Sequence, residues 1–430
     1  MNIVLIGAGS ISFGGGQIAD LLQAEELRGR KGRLVLVDTD EAALETMLQL
    51  AERIKAHAGA DMTLEATTDR TKALPGADYV ITAVARKRYP LWEQDFRVPL
   101  ALGFRHCLGE NGGPGAVFHT LRSLELIMPI AQDVERLCPD ALLLNFTNPE
   151  ARVLHAISHL TKVRAAGICH GVFTALEFVT RYTGRPWQEF HVVSAGMNHF
   201  YCLLEVTDKQ TGEDRLPALI DAAVRDEEAP PLFRKMAEIF GVFTFPSDDH
   251  IGEYLSYGAE FHGVKWLYGQ EYRKVGSEPE PLPLADYAAG RRPLDEAVLR
   301  PSGEVTVPII ADIELDRGSY RHAVNVLNTE GYIDNLPRRA AVEIPATVDA
   351  HGLHPCHVGA IPETFAAMMI PQFTIHELLT EAWQTKDKRL LLQALLLDPN
   401  VNSITAAERL LDDMLELQAA FLPSFSGVSV

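Results

Sequence analysis

Basic residues are in short supply. Lys and Arg total 39 against 58 Asp and Glu, giving a formal charge of −19 and a sequence pI near 5.2. No basic stripe is visible, which argues against nucleic acid or an anionic membrane as a partner. Cysteine is scarce as well. Cys107, Cys138, Cys169, Cys202 and Cys356 are odd in number and irregularly spaced, which is no disulfide framework. No stretch reaches the roughly 18 apolar residues that span a bilayer. No basic, signal-like segment precedes the first apolar run Ile3-Val4-Leu5-Ile6, so a cytoplasmic protein is expected. Internal repeats and low-complexity tracts are also lacking.

What is present is a folding composition. Hydrophobic residues make up 47% and charged residues 23% of 430, enough for a large core and two or three domains. Short apolar runs alternate with helix-like stretches in the first half: Ile3–Ile6, Arg33–Val37, Tyr79–Val84, Leu142–Phe146 and Arg164–Cys169. Continuous apolar runs suit strands buried on both faces. The β–α alternation predicts an α/β fold with a Rossmann-type, doubly wound parallel sheet. Asp40 is placed to cap the helix starting at Glu41. After about Gly184 the pattern becomes mixed α/β, with two or more strands over 190–206 and another at Val342–Pro345. Residues 271–293 read as an exposed loop, and the end from about Pro362 is helical. The expected division is 1–190 for dinucleotide binding and 191–430 for substrate, metal and subunit contacts.

Gly7-Ala8-Gly9-Ser10-Ile11-Ser12-Phe13-Gly14 lies between a predicted strand and a predicted helix, the context that a dinucleotide loop requires. Gly7 allows the turn, and Gly9 lets the backbone approach a pyrophosphate at the helix N-terminus. Ser10 and Ile11 complete the expected contact loop. Ser12 replaces the third glycine, and Gly14, Gly15 or Gly16 is left to provide close packing. Asp38 ends the second strand, where a carboxylate binds ribose hydroxyls and repels a 2′-phosphate, favouring NAD over NADP.

Several polar motifs follow. Asn145-Phe146-Thr147-Asn148-Pro149 presents Asn148 beyond a strand end, because the proline disfavours helix at that residue; an Asx turn fits the same residues. Cys169-His170-Gly171 ends the next strand, and Asn198-His199 follows some 30 residues later. Thiolate and imidazole suit a transition metal, and two ligands leave positions open; by spacing alone a buried thiol and an ordinary histidine are the commoner reading. Gly109-Glu110-Asn111-Gly112-Gly113-Pro114-Gly115 holds one acid in a glycine-rich loop, either a proton donor or a solvent-facing turn. In Ser247–Tyr254, Tyr254 acts as a base only beside a cation or metal; a capped helix start with a buried tyrosine fits the same residues.

Together these motifs resemble glycoside hydrolase family 4, the NAD- and divalent-metal-dependent glycosidases. The resemblance rests on Gly7–Ser10, Glu110 with its glycines, Asn145–Pro149, Gly167–Gly171 and Gly196–His199. It continues through Asn328–Pro337, Val342–Pro345 and Gly352–Pro355, and so spans nearly the whole chain. It implies hydrolysis by a redox route, with C3 of the sugar oxidised by NAD⁺, C2 deprotonated, the C1 leaving group eliminated, water added and C3 reduced again. It further implies Cys169 and His199 as Mn²⁺ ligands, Asn148 and Arg86 as substrate contacts, Glu110 as the acid and Tyr254 as the base, with Asp248, Asp249 or Tyr257 as alternative bases. The segment His250–Tyr254 resembles the branch acting on unphosphorylated α-glycosides. Asp248 and Asp249, where they face the site, repel a phosphate. An α-uronide (galacturonide or glucuronide) is therefore expected first and an α-galactoside second, with Arg86, Arg317, Arg321 or Lys265 available for a C6 carboxylate. A dimer or tetramer is implied too. A 2-hydroxy acid dehydrogenase is the rival reading, but Asn148-Pro149-Glu150-Ala151-Arg152 lacks that class's aspartate. A non-catalytic NAD sensor has no need of the cysteine–histidine pair.

Overall fold

Residues 1–10, 13–261 and 282–425 are described by a computed structural model. Strands β1 (Asn2–Ile6), β2 (Gly32–Val37), β3 (Met62–Thr67), β4 (Tyr79–Thr82), β5 (Leu142–Asn145) and β6 (Arg164–Gly167) pair in parallel in the order β3-β2-β1-β4-β5-β6. This is the doubly wound order expected from the β–α alternation.

Side-chain alternation explains why these strands are apolar throughout. Ile3, Leu5, Leu34, Leu36, Ile81 and Leu144 face one layer, with Ile18 and Leu22 of helix Gly14–Gln23 and Leu50 and Ile54 of helix Glu41–Ala58. Val4, Ile6, Val35, Val37, Val80 and Leu143 face the other, against Leu124 and Ile127 of helix Gly113–Leu137 and Val153 of helix Glu150–Leu160. Burying one face alone would leave the second set in water. Asp40 caps its helix as expected, accepting from the amides of Ala42 and Ala43 at 3.0 Å each.

The same sheet continues through the second half. β7 (Phe190–Met197) and β8 (Phe200–Asp208) form a hairpin, and β9 (Ser319–Leu327), β10 (Ala341–Asp349) and β11 (Gly352–Pro355) complete an 11-stranded sheet. β9 joins β6 antiparallel through Gly167 and Asn325, and β10 joins β7 through Glu343 and Gly196. The seam between the two halves is thus hydrogen-bonded sheet. It lies beside the Cys169 and His199 motifs, which follow β6 and β7.

Three expectations need adjusting. β3, β9 and β11 escaped the sequence reading, because their polar residues break the apolar runs. Gly109–Gly115 is no solvent-facing turn; Glu110 is buried and the loop leads into the 25-residue helix Gly113–Leu137. Within the expected loop 271–293, residues 284–288 form a short helix that buries Tyr287. The C-terminal helices Glu363–Thr385, Lys388–Leu397 and Ile404–Leu417 form as expected. Leu391 and Leu395 enter the core, while Leu396 and Leu397 stay exposed. Among the described residues, no helix is long and apolar enough to cross a membrane.

Candidate active site

The glycine loop sits at the carboxyl end of β1, where the strand order reverses between β1 and β4. In open α/β sheets this crevice holds the ligand. A Cβ on Gly7 would lie 2.2 Å from the Ala83 carbonyl oxygen, and one on Gly14 would lie 2.0 Å from that of Ala8. Gly14 therefore provides the close helix packing that the missing third glycine would have given. The Ser10 carbonyl accepts from Gly14 N, and its hydroxyl from Phe13 N, at 3.0 and 3.3 Å. Asp38 Oδ2 accepts from Gly9 N at 2.8 Å, so the carboxylate stands at the loop as expected. Ile11 lies outside the described residues, as does Lys265. The glycine-lined loop at a helix N-terminus fits a dinucleotide.

At the ends of β4 and β5, Asn145 Oδ1 accepts from Thr82 Oγ1 and Thr147 N at 3.0 and 3.1 Å. Thr147 Oγ1 accepts from Val84 N at 3.1 Å. These bonds hold the motif rigid up to Asn148, which precedes a cis peptide bond to Pro149. The Asn148 carbonyl accepts from Ser123 Oγ. Its side-chain amide makes no hydrogen bond among the described residues.

Cys169 Sγ lies 3.4 Å from His199 Nε2. Metal bonds of roughly 2.3 Å to sulfur and 2.1 Å to nitrogen place two ligand atoms about 3.1–3.6 Å apart, so the pair fits one ion. Among the described residues, no third His, Cys, Asp or Glu joins them in a metal-sized group. Burial, then the neighbouring His250, holds His199 well below the usual histidine range, leaving a neutral imidazole able to ligate. Burial, with Glu343 adding to it, pushes the Cys169 thiol up; a bound cation would reverse this.

Other groups surround the pair. His170 Nδ1 bonds Glu304 Oε1 at 2.6 Å. Ser302, close by, accepts from Gln17 and donates its amide to Asp20, both on the dinucleotide helix. The His250 ring stands 4.6 Å from that of His199, and its Nδ1 bonds Asp249 at 2.7 Å. Burial pulls His250 down, but the bond to Asp249 and its charge outweigh this and raise it.

Tyr254 is 3% exposed, stacks on Phe200, and donates to the Asn198 carbonyl at 3.3 Å. Burial and the adjacent Glu253 push its phenol well up, against the opposing charge of Arg152. The alternatives stand elsewhere. Asp248 accepts from the amides of Leu232 and Phe233 at 2.9 and 3.0 Å, capping helix Pro231–Phe240. That carboxylate is turned to the helix N-terminus, so the condition for Asp248 to repel a phosphate, that it face the site, is not met. Asp249 is engaged with Ser247 and His250. Tyr257 points at the sulfurs of Met236 and Met368.

Glu110 is buried and pairs with Arg88 at 2.7 Å. The two line a small cavity with Arg86, Trp92, Arg122 and Ser123. Arg122 is committed to Asp95 and Gln418. Arg86 is exposed and makes no ion pair among the described residues. Arg317 and Arg321 are both engaged by Asp312.

Comparison with known proteins settles the family. The model described as "Family 4 glycosyl hydrolase" matches residues 2–184, and that of its C-terminal domain matches 194–401. The chain belongs to the family 4 glycosyl hydrolases. Among relatives, an alpha-glucosidase from Erwinia rhapontici is 30% identical, covering 98% of both chains. An alpha-galactosidase from Bacillus subtilis is 29% identical, covering 99% of both. The fold matches a 6-phospho-alpha-glucosidase from gut microorganisms, solved in complex with NAD and Mn²⁺, at TM-score 0.82 and 21% identity over 99% of both chains. The resemblance read from the motifs is thus borne out.

Within this family 4 chain, four residues at the site carried no sequence assignment: Arg88, Glu253, Glu343 and Glu150. Glu343 Oε2 accepts from the side chains of Asn198 and Asn325 at 3.1 and 3.3 Å. Burial pushes it up to about 7, despite those two bonds. Glu150 is buried with neither oxygen bonded among the described residues, and burial, then Glu343, holds it well above the usual range. A lone acid inside the apolar run Ala341–Pro345 was the available signal for Glu343.

Proposed function

We propose that this family 4 glycosidase hydrolyses an unphosphorylated α-glycoside, with an α-uronide first. The observation carrying the uronide reading is the cavity beside Glu110. Among the described residues lining it, Arg88 and Arg122 are already paired, which leaves Arg86 as the uncommitted guanidinium. A guanidinium matches one carboxylate in a bidentate pair. A phosphate dianion calls for more uncommitted donors, and the Glu110 carboxylate lines the same cavity.

In this reading Gly7, Gly9, Ser10, Ile11 and Asp38 bind NAD, and Cys169 and His199 hold Mn²⁺. When bound, these groups supply reversible oxidation at C3 of the sugar and Lewis-acid stabilisation of charge on the C2 and C3 oxygens. Asn148 hydrogen-bonds the sugar hydroxyls with its side-chain amide, which has no partner among the described residues. Tyr254 takes the C2 proton, its hydroxyl being held at the Asn198 carbonyl, one residue from His199. A phenol this buried stays neutral in the free chain, so it becomes a base only with a cation at the Cys169–His199 pair. Glu110, held by Arg88, serves the leaving-group oxygen.

A cytoplasmic setting keeps the Cys169 thiol reduced. The apolar residues left exposed on the C-terminal helices, Leu397, Ile404 and Leu417, support assembly into dimers or tetramers. An α-galactoside is the second reading, favoured by the Bacillus subtilis relative.

The test is a substrate panel in D₂O with NAD⁺, Mn²⁺ and a reductant: aryl α-galacturonide, α-glucuronide, α-galactoside and 6-phospho-α-glucoside. The highest kcat/KM is expected for a uronide, with deuterium at C2 of the product. A preference for the phosphorylated sugar overturns the substrate reading. Where the abstracted proton exchanges with solvent, a product free of C2 deuterium overturns the elimination route.

A further inference from the structure

We infer that Glu253 is a positioning residue that sets Glu110 and Tyr254 relative to each other. The inference rests on the roles given to those two residues above.

Glu253 is fully buried, at 0% exposure. Its Oε1 accepts from the backbone amides of Glu110 and Asn111 at 2.6 and 3.1 Å. Its own carbonyl accepts from Asn400 Nδ2 at 3.0 Å. Gly112 packs so closely that a Cβ there would lie 2.7 Å from the same carbonyl oxygen. Three segments far apart in sequence therefore meet at this residue: the Glu110 loop, the 247–254 segment and the turn at 398–400.

A buried carboxyl is a costly way to join loops unless its bonds are needed. An apolar side chain here would leave the Glu110 and Asn111 amides without an acceptor. The clamp also has a direction. One end grips the amide of Glu110 itself, and the other is the residue peptide-bonded to Tyr254. Tyr254 is fixed in turn by Asn198, and Asn198 by Glu343. The acid loop is thus connected to the base and then to the residue preceding the ligand His199. Burial, then the charge of Glu110, pushes Glu253 up to about 8. The neutral form thus prevails near pH 7, and glutamine matches it in shape and in its accepting oxygen.

The experiment uses the full chain with NAD⁺, Mn²⁺ and the best substrate of the panel. Glu253→Asp withdraws the acceptor by one methylene, and kcat should fall about 100-fold, the cost of misplacing reacting groups by about 1 Å. KM and NAD⁺ affinity should hold, because ground-state binding is untouched. Glu253→Gln should restore most of kcat. Asn400→Ala loosens the clamp from its other side and should lower kcat about tenfold, with KM held; it carries the test if Glu253→Asp does not fold. Wild-type kcat in Glu253→Asp or Asn400→Ala overturns the inference. So does a Glu253→Gln variant as damaged as Glu253→Asp, or a parallel loss of NAD⁺ affinity, which would mark a merely structural role. Glu110→Gln and Tyr254→Phe are measured alongside: full activity in both sinks the acid–base assignment itself, whatever Glu253 does.

Discussion

Cys169 Sγ and His199 Nε2 face each other at 3.4 Å across the mouth of the sheet seam, although β7 lies between them in the chain. Each is held by its own element. Cys169 follows β6, with its sulfur accepting from Gly171 N at 3.3 Å. His199 sits in the β7–β8 turn at φ +62. Cys169→Ser and His199→Ala should each abolish both Mn²⁺ binding, measured by calorimetry, and hydrolysis. NAD⁺ affinity should survive, since the glycine loop is elsewhere in the crevice. Retained Mn²⁺ binding in both variants would remove the pair as its ligands.

Gly14 carries the helix packing that the loop needs. A Cβ there would overlap the Ala8 carbonyl oxygen at 2.0 Å, a backbone atom that moves only if the loop moves. Gly14→Ala should cost about 1–3 kcal/mol of stability, as overpacking does, and weaken NAD⁺ binding together with it. Gly15→Ala is the control. Its nearest neighbour would be Met47 Cε at 3.8 Å, and alanine favours a helix by about 1 kcal/mol over glycine. Its melting temperature should hold or rise. Equal losses in the two variants would show that Gly14 has no special packing role.

These two features were legible in sequence for different reasons. The first strands announce themselves because both faces are buried, so Val4 and Leu5 are equally apolar. β3 reads Met-Thr-Leu-Glu-Ala-Thr and sits at the sheet edge, where polar residues are tolerated and the run breaks up. Cys169, His199 and Asn148 each follow a strand, but it is the family resemblance of their motifs, not spacing alone, that marks them as site candidates. Glu253 lies in a polar motif with no signal of its own, and Glu343 shows in sequence only as a lone acid in an apolar run. A glutamate is one of 58 acids until burial singles it out, and burial here comes from segments more than 140 residues apart meeting at one point.

That burial has a measurable consequence. Glu343 and Glu253 have folded-state pKa values raised to about 7 and about 8, from an ordinary 4.5. A raised acid holds its proton more tightly in the folded chain than in the unfolded one. Its stabilisation is complete below about pH 4.5 and is lost as pH rises through the folded value. Buried histidines such as His199 and His376 work in the opposite direction, because burial lowers them. Their contribution is complete once the unfolded chain is neutral, above about pH 6.5. Between about pH 6.5 and 8, then, the buried glutamates, Glu150 among them, set the slope, with His170 and His250, both raised, adding in the same direction. The chain free of NAD and metal should lose stability across this window, each ionising site contributing at most about 1.4 kcal/mol per pH unit. Urea denaturation at closely spaced pH values measures it. Glu253→Gln and Glu343→Gln should each flatten the curve, and the double variant should flatten it further. A curve that keeps its full slope in the double variant would mean that both carboxyls ionise at ordinary pH and are hydrated, contrary to their burial.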